Sequence, residues 1–221
     1  KQLQRYLGTS SYETAWYLLQ RFRRAMVNAN RMSLSGIVEA DETFIGGPVK
    51  GKKGRGVTSA ENKSLVLGIV EVVSYKDKMG KAKMRAGRLR LEVAERADSL
   101  TIKKFLNRNL TADAKVYTDG WRGYSETALK SYQHITQIQD SLQSGSQLAP
   151  HIHRVFSNLK TWLLGTHHGV DPKYLQAYLD EYVFRFNRRQ IPMAAFQTLL
   201  GITAVKSPST MHQIQLGEST G

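Results

Sequence analysis

Apolar residues recur at the three-to-four-residue step of a helix face over residues 7–29, where Ala15, Trp16, Leu19, Phe22 and Met26 align. Ser10 and Glu13 have capping-box spacing at its start. Arg21, Arg23 and Arg24 crowd its end, where they suit the helix dipole and equally suit phosphate. The pattern then changes to strands. Ile37 to Ile45 reads as one, stopped by Gly46-Gly47-Pro48. Leu65 to Val73 is a buried-looking run, and Ala86 to Val93 alternates Arg88, Arg90 and Glu92 with Leu89, Leu91 and Val93. These two should be antiparallel neighbours joined by a turn over Lys76 to Lys83. Ile102 to Leu106 reads as a short helix, Lys115 to Thr118 as a strand, Tyr124 to Tyr132 as a helix and His134 to Ile138 as a strand. After a polar loop through Gln147 come two amphipathic helices, about Ala149 to Leu164 and Pro172 to Arg189. The tail, Ile191 to Gly221, should pack in part and fray late.

Three strands, helix, strand, helix, strand is the order of an α/β, ribonuclease H-like mixed five-stranded sheet flanked by helices. The helix over residues 7–29 stands before it, and Gly8-Thr9-Ser10 would suit the turn of a helix-turn-helix. A chain of 221 residues holds one main domain of this size with a small appendage. The expected division is residues 1–30 as the remnant of a helix-turn-helix DNA-binding region, 36–190 as the ribonuclease H-like domain and 191–221 as the C-terminal tail.

Charge narrows the class of partner. The net charge is +14 with a pI near 10.0, an excess that serves phosphate-rich partners, nucleic acid first. From Gly46 to Arg90 there are twelve Lys or Arg against three acids. The segment Lys50-Gly51-Lys52-Lys53-Gly54-Arg55-Gly56 lacks the ending of a Walker loop and reads as flexible phosphate contact. Lys50, Lys52, Lys53, Arg55, Lys81, Lys83, Arg85, Arg88, Arg188 and Arg189 are the candidate DNA contacts. The competing reading of the basic run is a solvated loop face. Cysteine is absent, which excludes disulfides and Cys-type zinc sites and makes a cytoplasmic setting the default. The longest near-apolar stretch, Leu65 to Val73, contains Glu71 and falls short of a membrane span. The start, Lys-Gln-Leu-Gln-Arg, has neither Met nor the layout of a signal peptide, so a longer parent protein is expected.

Candidate chemistry sits at two strand ends. Asp41 and Asp119 each close an apolar run, and lone buried carboxylates are costly enough to need a partner. A divalent metal is the expected one, since two carboxylates on neighbouring strands can serve in-line transfer at phosphorus. Glu39 and Glu42 compete in the first segment. Strand alternation puts Glu39 on the face of Asp41 and Glu42 on the opposite one. The helix Pro150 to Lys160 contains no Asp or Glu, so the third position falls to His153 or Asn158. At about 100° per residue His153 and Lys160 lie about 20° apart, whereas Asn158 and Lys160 lie nearly opposite. His153 can ligate a cation or position a water, and Asn158 offers a carbonyl oxygen. Lys160 would hold a phosphate as a point charge. The alternative is that each Asp caps a turn and that the helix residues are surface polars.

Three long stretches carry a resemblance. Val38-Glu39-Ala40-Asp41-Glu42-Thr43-Phe44-Ile45-Gly46-Gly47, Val116 through Tyr124, and His153 through Gly169 closely resemble bacterial insertion-sequence transposases of the DDE class, and Tyr178 through Arg189 resembles their closing helix. The subgroup joins an N-terminal zinc ribbon and helix-turn-helix to a ribonuclease H-like catalytic domain. The resemblance implies that Asp41 and Asp119 take the places of the first two catalytic acids and that Lys160 matches the lysine after the third. The third place departs from the common pattern because Glu is missing, and His153 and Asn158 both stay open for it. Implied with it are Mg²⁺ (or Mn²⁺) as cofactor, double-stranded DNA as partner, and a homo-oligomer, at least a dimer on DNA. A bacterial, nucleoid-associated setting is also implied, with a zinc ribbon preceding Lys1. The implied activity is metal-dependent cleavage at transposon ends with strand transfer into target DNA. The alternatives are an inactive transposase-derived DNA-binding protein and a structure-selective nuclease on the same fold.

Overall fold

The structure, a computed structural model, describes residues 1–27, 31–46, 63–119, 121–124, 126–136, 149–205 and 207–216. The chain divides into two compact units, residues 32–172 and residues 1–31 with 173–221.

The larger unit is built on a five-stranded mixed sheet in the order β3-β2-β1-β4-β5. Its strands are β1 (Ile37–Gly46), β2 (Lys63–Lys76), β3 (Ala82–Ala94), β4 (Lys115–Thr118) and β5 (Gln133–Thr136). The first three form an antiparallel meander, and β4 and β5 add in parallel beside β1. Parallel addition requires crossover connections. Helix α3 (Ser99–Asn109) provides the first, started by Asp98, whose carboxylate accepts the Thr101 N–H at 2.8 Å. The second is a 3-10 turn, Arg122–Tyr124, followed by the short helix α4 (Glu126–Leu129). The expected α/β, ribonuclease H-like mixed sheet is therefore the fold. The helix expected over Tyr124 to Tyr132 is shorter than its pattern, because Tyr124 belongs to the 3-10 turn.

Side-chain alternation sorts the sheet into two faces. Val38 and Ala40 of β1 and Leu65, Leu67 and Ile69 of β2 join Ile102, Phe105 and Leu106 of α3 in one apolar core, with Tyr124, Ala128 and Leu129 closing it. The opposite face receives α5 (Pro150–His167), which buries Ile152, Val155, Phe156, Leu159 and Leu163 at helical spacing. Helix α5 packs on β1, β2 and β3. It comes close over Gly68, where any side-chain carbon would come within 2.7 Å of the Phe156 ring and 3.0 Å of Ile152. Gly68 is the direct cross-strand partner of Asp41, so the close approach falls beside that aspartate.

The start of α5 lacks a local cap. Ala149 stands at the cap position in a left-handed conformation and offers no side-chain acceptor. The acceptor comes from β1: one Glu39 oxygen takes the N–H groups of His151 (2.8 Å) and Ile152 (2.9 Å), and the other pairs with His151 Nδ1 at 2.7 Å. A carboxylate here also meets the positive end of the helix dipole. A second buried acid, Glu71, holds the other side of the meander, accepting from Arg88 at 2.6 and 2.8 Å and from the Ser35 N–H. These bonds and the Arg88 charge hold its carboxyl below the ordinary value, outweighing burial, which pushes it up.

The smaller unit is helical. Helix α1 (Gln2–Leu7) stops at Gly8 in the left-handed region, and α2 (Tyr12–Ala25) begins after Ser11. The cap is thus Ser11, whose hydroxyl accepts the Thr14 N–H, rather than Ser10 of the expected capping box. Helix α6 (Leu175–Asn187) follows a 3-10 turn at Pro172–Tyr174 and packs on α2. Arg23 joins them, buried with its guanidinium 2.8 Å from Glu181 and 3.9 Å from the centre of the Tyr178 ring. Helices α7 (Pro192–Ala204) and α8 (Met211–Leu216) occupy most of the expected tail, and Ile214 is its buried residue. Among the described residues, no helix is long and apolar enough to cross a membrane.

Replacing Glu39 by Ala strands three donors at a buried site and should destabilise the chain by about 1–3 kcal/mol, with Glu39→Gln recovering part of that stability because its carbonyl oxygen still accepts. Urea unfolding checks this; two variants as stable as the parent would remove Glu39 from the role of cap.

Candidate active site

Asp41 and Asp119 are brought side by side by the parallel pairing of β1 and β4. That register matches Glu39 with Tyr117, and the two aspartates each follow two residues later along the chain, Asp41 within β1 and Asp119 one residue past β4. Asp41 is 9% exposed. Asp119 sits just past β4, where its Oδ1 accepts the Trp121 N–H at 3.0 Å, and the Tyr124 N–H then bonds the Trp121 carbonyl at 3.0 Å. The carboxylate therefore starts the tight turn that carries Tyr124.

Around this pair the structure gathers three more side chains. His153, one turn into α5, places Nε2 3.1 Å from Asp41 Oδ2. Tyr124, buried, hydrogen-bonds the Glu42 carboxyl from the opposite face of β1. Burial pushes the Asp41 carboxyl up to about 6; the Glu42 backbone N–H and His153 oppose that rise, and the Asp119 charge adds to it. Burial pushes Glu42 up to about 7, with the charges of Asp41 and Asp119 adding and the Tyr124 bond opposing. The Tyr124 hydroxyl is in turn raised well above its ordinary value by burial and by the same acids, Glu42 first. Glu42 Oε2 is buried with no hydrogen-bond partner among the described residues. The partly exposed His153 is the α5 side chain that reaches Asp41.

The remaining candidates divide cleanly. Asn158 is exposed on α5, about 140° around the helix from His153. Lys160 is exposed on the His153 side, about 10 Å further along the axis at 1.5 Å per residue. Glu39, read as a competitor of Asp41 on the same face, is taken up by the α5 N-terminus. Arg88 is bound to Glu71, which turns its guanidinium to the fold. Lys81, Lys83 and Arg85 lie exposed at the far end of the β2–β3 hairpin. Arg188 and Arg189 fold back over the rings of Phe184 and Phe186, each 4.0 Å from the centroid. Lys50, Lys52, Lys53 and Arg55 lie outside the described residues. Among the described residues, no three His, Asp or Glu side chains gather closely enough to enclose a metal ion.

Two contacts here involve residues outside the sequence-predicted set. The link of Tyr124 to Glu42 depends on a turn that strand alternation does not foresee. The contact of His151 with Glu39 has an indirect signal: a helix that starts at Ala149-Pro150, without Ser, Thr, Asp or Asn there, takes its cap from elsewhere.

With two aspartates on adjacent central strands, faced by a helix bearing the next polar residues, the sheet defines a ribonuclease H-like domain of the kind transposases use. Comparison with protein families bears this out: the ISXO2-like transposase domain matches residues 33–187, and the chain belongs to that family of insertion-sequence transposases. A comparison with curated proteins finds no match.

The raised carboxyls carry a pH dependence. Asp41 and Glu42 ionise less readily in the folded chain than in the unfolded one, so their contribution to stability is fully present below the ordinary carboxylate range. It is lost as pH rises through about 6 and about 7. Without divalent metal, Glu42→Gln should therefore gain stability over the parent on going from about pH 5 to about pH 8. Thermal unfolding at the two pH values reads this, and a difference that does not grow would contradict it.

Proposed function

We propose that this chain cuts DNA at the ends of a mobile element and joins them to target DNA, with Asp41 and Asp119 as the acids of the site. The observation that carries this reading is the pairing of β1 with β4, which sets the two carboxylates at one level beside an α5 face bearing His153 and Lys160.

The donors suit Mg²⁺, with Mn²⁺ as a substitute. Mg²⁺ is typically held by one or two carboxylates, with waters and substrate phosphate completing its shell, rather than by an all-protein cage. Two aspartates at neighbouring strand ends, Asp41 among them at 9% exposure, agree with that chemistry. Bound there, the cation would lower the cost of the charge that develops on the attacking and leaving oxygens.

In the first step a water oxygen bonds to phosphorus and the P–O3′ bond breaks, leaving a 3′-hydroxyl and a 5′-phosphate. In the second, that 3′-hydroxyl attacks a target phosphodiester and displaces another 3′-oxygen, so the number of P–O bonds is unchanged. Asp41 and Asp119 hold the reacting end. His153 fills the third position: its imidazole orients the Asp41 carboxylate and stands where it can take the proton of the attacking water. Lys160, two turns along the same side of α5, holds a flanking phosphate. Lys81, Lys83 and Arg85 contact the DNA backbone. The working setting is the bacterial nucleoid, with at least two copies of the chain on the DNA to bring two ends together.

A binding-only descendant of a transposase is the second reading, favoured by the lack of an acid on α5. Nicking and end-joining on DNA carrying the element's terminal repeats separates the two. Asp119→Asn should lower Mg²⁺-dependent nicking at least ~100-fold, the scale on which loss of a charge-stabilising group is felt, while duplex binding persists. Equal nicking by parent and variant would sink the site assignment, and binding without cleavage by the full-length parent would favour the second reading.

A further inference from the structure

Strands β2 and β3 outrun the sheet they belong to. The pairing of β1 with β2 reaches Glu71, whereas β2 and β3 remain paired from Val72 opposite Ala86 to Lys76 opposite Ala82. The register shifts between Val70 and Val72, and such a bulge bends and twists a strand pair away from its sheet. Beyond it the side chains pass from half-buried to exposed on both strands. What emerges is a two-stranded ribbon about 17 Å long at about 3.4 Å per residue, plus its turn.

The ribbon is built to hold its shape. At the tip, Asp77 Oδ1 accepts the N–H groups of Met79 (2.9 Å) and Lys81 (3.0 Å), and Oδ2 pairs with Lys83 at 3.0 Å. The Asp77 N–H bonds the Lys81 carbonyl, and Gly80 supplies the left-handed residue, φ 76°, that closes the turn. At the root, the Glu71–Arg88 pair fastens the two strands to each other. Arg85 lies over the Tyr75 ring, 5.3 Å from its centroid, along one face.

Its charge is one-sided: Lys76, Lys78, Lys81, Lys83 and Arg85 stand against Asp77, whose carboxylate the turn already uses. Met79 is 93% exposed at the apex. Lysines that only guarded a sheet edge against aggregation would not require an apolar residue held out at the tip.

Resting on the DNA reading above, we propose that this ribbon enters the major groove of duplex DNA, with Met79 against base edges and its lysines on the flanking phosphates. The major groove, about 12 Å wide and about 8.5 Å deep, admits a two-stranded ribbon, and a thymine methyl is the apolar feature on its floor. The ribbon thereby grips the duplex beside the site, as a separate element from the acids that cut it.

The test uses the full chain and a triple variant, Lys78→Ala with Met79→Ala and Lys81→Ala, with thermal unfolding as the check on folding. Duplex affinity is read by fluorescence anisotropy over a range of salt, and major-groove contact by protection of guanine N7 from dimethyl sulfate. The expected result is roughly tenfold weaker binding, a salt slope smaller by about 2, and loss of N7 protection. A variant that binds like the parent overturns the ribbon as a contact. Weaker binding with unchanged N7 protection overturns its place in the groove. A parent chain that binds no duplex overturns the DNA reading itself, and the ribbon proposal with it.

Discussion

A carboxylate leaves water only if something else solvates it, and β1 withdraws three of them within four residues. Glu39, Asp41 and Glu42 are each compensated differently, and the differences organise the larger unit. Glu39 is solvated by the N-terminus of α5, two backbone N–H groups and an imidazole, so its burial fixes where that helix begins. Asp41 meets His153. Glu42 finds the Tyr124 hydroxyl on the other face, with one oxygen lacking a partner among the described residues. Removing an acid from such a strand is therefore a structural change at one position and a chemical change at the next.

The placement of α5 links the two roles. Its apolar stripe makes it lie on the meander, but a stripe alone allows sliding along the axis. Glu39 pins the start of the helix, and the missing side chain of Gly68 lets Phe156 settle against the sheet beside Asp41. With both constraints met, His153 falls opposite Asp41 and Lys160 follows two turns later on the same side. The geometry at the aspartates is thus a consequence of the packing and capping of the residues that flank them.

Much of this was legible in the sequence where the signal is local. The strand runs ending in Asp41 and Asp119 have the apolar patterns and stop signals that define them, and the order of elements carries the ribonuclease H-like sheet. What was hidden depends on contacts distant along the chain. Strand alternation assigns Glu39 to the face of Asp41 correctly, yet cannot say that a helix more than a hundred residues later will take up its carboxylate. Alternation also separates Glu42 from Asp41, whereas the turn after β4 brings Asp119 within electrostatic reach of both. The long β2–β3 hairpin was read short because its outer half is polar, and polarity in a strand pattern reads as a turn until its partner strand is seen. Ser10 and Ser11 differ by one position, a margin that cap spacing alone does not resolve.

The central claim is that the two strand-end aspartates form a cation site. Crystals of the full chain soaked in Mn²⁺ and measured at its absorption edge test that directly. The account predicts an anomalous peak between the Asp41 and Asp119 carboxylates, on the side of the sheet that α5 covers and within reach of His153. A peak bound elsewhere, with the aspartates free of metal at saturating Mn²⁺, would contradict it.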